Sequence, residues 1–215
     1  MPADSSRRRL LSQLACPGIG VVLSSRVDAT KSRDERAVLG VGVGEVGADT
    51  SAWLRDADEP IQACAAVYLP GDPAATSVLQ AVLGSPTAIS GWFTEQPWRN
   101  SGVSETLLRE LVSRNLVFAD ILPVALAIAK NAGPWFPDRD WGLLLLHAFP
   151  GVEFQPGVQP PRPTSLDESQ RAYLEALVEN DALWDPLNGN RRLARMRAGI
   201  PQQREDVNKL LRDLA

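Results

Sequence analysis

The stretch Leu54-Arg55-Asp56-Ala57-Asp58-Glu59-Pro60-Ile61-Gln62-Ala63-Cys64-Ala65-Ala66-Val67-Tyr68-Leu69 decides how this chain folds. Trp53 and Leu54 read as the end of one helix, residues 56–60 as a tight acidic turn, and Ile61 onward as a helix of small residues. Pro60 suits the first turn of a helix, where its missing N–H is no loss, and Asp58 stands where a capping side chain is expected. Ile61, Ala65 and Leu69 fall on one face at helical spacing, while Ala63, Cys64 and Ala66 keep the other faces thin. A helix so thin must pack on both sides, which is what a repeat architecture asks of its units.

Working outward, residues 34–48 contain Gly42-Val43-Gly44-Glu45-Val46-Gly47, the glycine spacing of a dinucleotide-binding turn. That turn needs a strand before it, a helix after it and an acid about twenty residues on. Val38-Leu39-Gly40-Val41 offers a strand, but residues 63–69 hold no acid. The segment reads better as a helix whose glycines let neighbouring helices approach. Each internal glycine costs about 1 kcal/mol relative to alanine, so an irregular helix is expected. Aligning Asp34-Glu35 with Asp58-Glu59 gives an internal offset of 58 − 34 = 24 residues, with alanine or glycine at many shared positions.

Leu54, Asp56, Asp58, Ile61, Ala65, Ala66 and Leu69 together resemble the HEAT-like repeat pattern of a leucine, an aspartate turn, a β-branched residue, paired alanines and a leucine. Gln62 departs from it, standing where such repeats commonly carry arginine or lysine. Gly71-Asp72-Pro73 then leads into residues 75–83 as a next helix would, so the resemblance covers residues 34–95. It implies a short α-solenoid of antiparallel helix pairs, with a concave face used to bind a protein partner or to serve as a scaffold. Small HEAT-like DNA glycosylases place tryptophan and aspartate on such a face, so a base-excising enzyme, or a natural-product-type enzyme, is the alternative. That part of the resemblance is one of fold and cannot be carried over residue by residue.

The rest of the chain also has helical period. Leu10, Leu11, Leu14 and Ala15 mark an amphipathic helix over residues 6–16, stopped by Pro17-Gly18; residues 20–24 fit either a strand or a helix. Further helices are expected at 87–95 around Ile89, Trp92 and Phe93, at 104–114, and at 118–129 with Pro123 near its start. Another runs over 141–149 behind a cap from Asp138 or Asp140. Residues 150–163 are rich in proline and glycine and read as a linker; beyond them lie helices beginning at Ser165 with capping-box spacing, at 191–197 and at 204–214. The expected organisation is an all-α array over 1–149, the linker at 150–163 and C-terminal helices over 164–215.

Composition agrees with this and narrows the function. Among 215 residues, 44% are hydrophobic but only 6% aromatic, so the core is built from alanine, leucine and valine. With 22 basic against 26 acidic residues, the net charge of −4 disfavours broad binding to nucleic acid. Cys16 and Cys64 fit no metal spacing and read as buried thiols of a reducing cytoplasm. No apolar run is long enough to span a membrane, and the one after Arg7-Arg8-Arg9 is too short and too interrupted for a signal peptide. A cytoplasmic protein with no metal and no cofactor is expected.

Three sets of residues invite a chemical reading. His147 is the only histidine, which removes histidine-centred triads and multi-histidine metal sites; set among Leu143 to Leu146 and Phe149, it reads as a packing residue before a base. Trp135, Asp138, Asp140 and Trp141 form the most site-like cluster, able to hold a cation or planar base and to activate water. Against that, an aspartate just before a helix is a common cap and tryptophans pack between repeats. Arg191, Arg192, Arg195 and Arg197 form a basic run, with Arg192 and Arg195 on one helix face; a solvated face is the plainer reading, and phosphate or an acidic partner the functional one.

Overall fold

The computed structural model describes residues 18–98, 102–131, 138–150, 161–184 and 189–214, with side chains from 138–141 and 189–191 outside that set. Every regular element among them is helical, as expected; no strand occurs. The chain divides into two compact units, residues 1–82 with 88–114, and residues 83–87 with 115–215. The expected helix over residues 6–16 and most of the proline-rich segment lie outside the described residues.

In the first unit, residues 20–24 belong to a helix, α1 (Ile19–Ala29), and α2 follows (Arg33–Glu45). Ser32 caps α2, its hydroxyl accepting the Glu35 N–H, and Asp34 and Glu35 place negative charge on its positive end. The helix passes unbroken through Gly40, Gly42 and Gly44, which rules out a phosphate-cradling loop there and overturns the expected irregularity. The reason is tertiary. A methyl group on Gly42 would lie 3.8 Å from Leu23 of α1, whereas one on Gly44 would lie 2.1 Å from the Tyr68 ring. A methyl on Gly20 would meet Ala48. Positions 20 and 23 thus face 48 and 42 in turn, so α1 and α2 are antiparallel.

From α2 the chain turns at Gly47, whose φ of 77° favours glycine, and returns through a short 3-10 turn, Ser51–Arg55. Trp53 in this turn is buried and donates its indole N–H to Asp28 at 3.0 Å. Next comes α3 (Glu59–Ala66), with Pro60 in its first turn. Pro60 to Val67 are buried apart from half-buried Gln62, so this helix does pack all round. It ends three residues short of Leu69, where the bonding tightens to the Tyr68 N–H on the Ala65 carbonyl and the Leu69 N–H on the Ala66 carbonyl; the same two carbonyls also accept the Thr50 hydroxyl at 3.0 Å and Arg114 at 2.6 Å.

Asp58 occupies the N-cap position of α3 but bonds no helix N–H. Its carboxylate is drawn away by Arg33 at 2.8 Å, while Arg36 pairs with Asp56. The start of α2 therefore lies by the start of α3, and Gly44 near its end lies by Tyr68 past the end of α3. The two helices run parallel. Gly44 and Tyr68 are separated by 68 − 44 = 24 residues, the offset visible in the sequence.

The unit also takes in α4 (Pro73–Leu83) up to residue 82, α5 (Pro86–Ile89) from residue 88, and α6 (Val103–Val112). Asp72 caps α4 by accepting the Ala74 N–H at 2.7 Å. Only one turn of the helix expected over 87–95 forms; beyond it the Asp34 carboxylate accepts the Thr94 N–H at 3.0 Å. Val103, Leu107, Leu108 and Leu111 bury one face of α6. Behind it, Arg114 threads its guanidinium to the Ala66 carbonyl and, at 2.8 Å, to the Thr76 hydroxyl, joining the end of α3 to α4.

The second unit holds α7 (Phe118–Asn131), α8 (Asp138–Ala148), α9 (Glu168–Glu179), a 3-10 turn (Asp181–Trp184), α10 (Gly189–Arg197) and α11 (Arg204–Asp213). Pro123 lies inside α7 on its exposed side. A capping box does open α9, but through Asp167 and Gln170, two residues beyond the pair the sequence suggested. Phe118 opposes His147, so α7 and α8 are antiparallel. Phe118 also contacts Tyr173 at 5.4 Å between ring centroids, and Asn180, just past α9, donates to the Ala129 carbonyl at 2.7 Å, so α7 and α9 run parallel. Arg171 at the start of α9 reaches the Leu211 carbonyl at 3.0 Å near the end of α11, which makes that last pair antiparallel.

Candidate functional site

His147 lies half-buried near the end of α8, with Nε2 3.0 Å from the Leu116 carbonyl oxygen and its ring 6.2 Å from that of Phe118. The bond to a carbonyl makes Nε2–H the donor. The imidazole thus holds the end of α8 to the start of α7, in line with the packing role read from its apolar neighbours.

Of the site-like cluster, Trp135 lies outside the described residues; Asp138 opens α8, but the side chains of Asp138, Asp140 and Trp141 are outside them as well. Arg191 is likewise placed only as part of α10. Arg192 is exposed, as a solvated face requires. Arg195 is not: only 4% of it reaches solvent. Its Nη1 donates to the Leu183 carbonyl at 3.1 Å, and its guanidinium carbon lies 4.7 Å from the centre of the Trp184 ring. The indole N–H of Trp184 donates in turn to the Leu177 carbonyl at 2.8 Å.

The expectation that Arg192 and Arg195 share one solvated face is therefore corrected. A carbonyl at the 3-10 turn and the face of an indole receive Arg195 inward, and both lower the cost of burying its charge. Beside it lies a crevice lined by Leu174, Leu177, Leu183, Trp184, Arg195 and Ile200. This is an apolar crevice with one buried cation in its lining.

A cluster of two ion pairs among the described residues lies away from the three sets singled out for chemistry in the sequence. Arg33 and Arg36, one turn apart on α2, meet Asp58 and Asp56 ahead of α3, and the Asp56 carboxylate also accepts the Asp58 N–H at 2.9 Å. Burial works against ionisation of Asp56, but the Arg36 guanidinium and the Asp58 N–H outweigh it and hold the carboxyl below its ordinary range. The signal was present in the sequence: two arginines three apart on one helix, and two aspartates two apart before the next. It becomes readable only once the helices are known to be parallel.

Other reactive groups are masked by the fold. Cys64 is a free thiol buried in α3, and desolvation pushes its pKa up, away from the thiolate; Cys16 is outside the described residues. Burial likewise raises the pKa of the fully buried Tyr173 phenol. No cluster of three or more metal-ligating side chains occurs among the described residues, and no helix there is long and apolar enough to cross a membrane.

No family model, no curated protein and no solved structure matches this chain.

Proposed function

We propose that this chain is a short HEAT-like α-solenoid that serves as a protein-binding module or scaffold in the cytoplasm. The observation that carries the reading is the parallel stacking of α2 on α3 at the same 24-residue offset that aligns their sequences, with a reversed connection between them. Successive equivalent helices stacked in parallel are what a helical repeat produces, and each unit then contacts mainly its neighbours. The second unit supports the same reading, since α8 reverses and α9 runs parallel to α7. There α11 runs against α9, so the alternation does not extend to it. Solenoid surfaces of this kind bind extended partners.

No observation favours a base-excising or other enzyme. The aspartates and tryptophans that would carry the chemistry lie outside the described side chains, and Arg195 is turned into the core and away from any phosphate-binding face.

The test is affinity capture with the tagged full-length chain from its native lysate, with and without nuclease, followed by reconstitution of the captured species with purified components. A single protein recovered in constant stoichiometry, resistant to nuclease and rebinding when purified, is the expected result. Recovery of nucleic acid alone would overturn the proposal.

A further inference from the structure

The outward face of α10 is arranged around an apolar centre. At about 3.6 residues per turn, the order around this helix runs Arg192, Met196, Leu193, Arg197, and then Ala194 and Arg195. Burial follows that order. Arg192, Leu193 and Arg197 are exposed and Met196 is half-buried, whereas Ala194 and Arg195 face the core. Leu193, 41% exposed, and Met196 therefore lie side by side in the middle of the outward face, with an arginine on each flank.

We infer that this face docks an acidic segment of a protein partner, one that carries an apolar side chain to set between the two arginines; the inference rests on the protein-binding reading above. Charge complementarity selects the sign. Residues 186–203 contain four arginines and no aspartate or glutamate, in a chain whose acids outnumber its bases by 26 to 22. The segment itself offers this face no carboxylate. The apolar centre selects the class of partner. A nucleic-acid backbone would meet the arginines alone and leave Leu193 and Met196 against phosphates and sugars. The middle of a protein interface is instead apolar and enriched in methionine and arginine. Methionine is also flexible enough to fit apolar side chains of different shape. Arg192 and Arg197 lie five residues apart, about 7.5 Å along the helix axis. Carboxylates two residues apart in an extended segment, or four apart in a helix, meet such a spacing.

The test measures fluorescence anisotropy of a labelled peptide, with glutamates four apart around a central leucine, against the full-length chain. A control peptide carries serine for the leucine at the same charge. The serine peptide should bind about tenfold more weakly. The leucine peptide should bind about tenfold more weakly to Arg192→Glu with Arg197→Glu than to the parent. Lys209→Glu with Arg212→Glu makes the same change of charge at exposed positions of α11 and should bind as the parent does. Arg192→Glu alone should account for about threefold. Equal binding of the two peptides, or equal losses in the two double variants, would overturn the inference. So would tighter binding of duplex DNA or of phosphatidylglycerol vesicles than of the leucine peptide. Dimerisation of the parent chain that Arg192→Glu abolishes would overturn it too, since a second copy would then be the occupant. Repeating the lysate capture with the double variant at 192 and 197 separates the two levels. A protein retained at parental stoichiometry leaves the scaffold reading standing and removes only the α10 face, whereas no captured protein removes both.

Discussion

Two glycines one turn apart on α2 make opposite predictions when each is changed to alanine. Gly40 has open space where a methyl group would go, with no neighbouring atom within 4 Å. Gly40→Ala therefore gains helix propensity without a clash and should stabilise the protein by about 0.5–1 kcal/mol. At Gly44 the added carbon would lie 2.1, 2.2 and 2.5 Å from three carbons of the Tyr68 ring. Comfortable contact is about 3.5 Å, so the ring or helix must retreat by roughly 1.4 Å. Tyr68 is half-buried and can swing only by giving up its packing on α2. Overpacking of this kind costs about 1–3 kcal/mol, against a propensity gain of about 1, which leaves Gly44→Ala neutral to about 2 kcal/mol less stable. Relative to Gly40→Ala the gap is about 1–3 kcal/mol. Urea unfolding of both variants and the parent, compared at constant m-value, measures it. If Gly44→Ala is stabilised as much as Gly40→Ala, α2 and the residues after α3 do not approach as described.

Other substitutions probe the remaining contacts. Arg114→Leu removes one of the two donors to the Ala66 carbonyl, which keeps the Leu69 N–H, and the donor to the Thr76 hydroxyl, and should destabilise the protein by about 1–3 kcal/mol in chemical unfolding; a loss under 0.5 kcal/mol would show that the guanidinium does not anchor α3 to α4. Asp167→Ala removes the acceptor for the Gln170 N–H and should cost about 1 kcal/mol, whereas Ser165→Ala, at the capping position first read from the sequence, should cost almost nothing. The carboxyls of Asp56 and Asp167 are both held below the ordinary carboxylate range. Their stabilisation is complete above the unfolded value of about 3.9 and is lost as pH falls through the lower folded values. Asp56→Asn should accordingly flatten the fall of stability below about pH 4 while lowering stability at neutral pH, and an unchanged acid limb would refute the role given to Arg36.

The helices were legible because they depend on local rules. Pro60 at the first turn, the small residues of α3 that let it be buried all round, and the stripe of α6 follow from spacing alone. What escaped was decided between segments. Asp58 fits a cap, yet Arg33 claims it from 25 residues away. Leu69 continues the period of α3, but the last turn tightens and its carbonyls at Ala65 and Ala66 are shared with Thr50 and Arg114. Three glycines weaken α2 by propensity, and the close approach of Tyr68 to one of them supplies the tertiary reason for a glycine there. The site was less legible still, since Arg195 and Arg192 look alike in sequence. Only the position of Trp184 and the Leu183 carbonyl determines which is buried. The offset of 24 residues is the long-range signal on which the proposed repeat rests, since a repeated unit would write its stacking into the sequence.

That stacking is most directly tested by nuclear Overhauser contacts from the ring protons of Tyr68 in the labelled full-length protein. Parallel helices predict strong contacts to the Hα protons of Gly44, shifted upfield by the ring. Contacts instead to Arg33 through Ala37, at the opposite end of α2, would mean that the helices are antiparallel and would contradict the repeat.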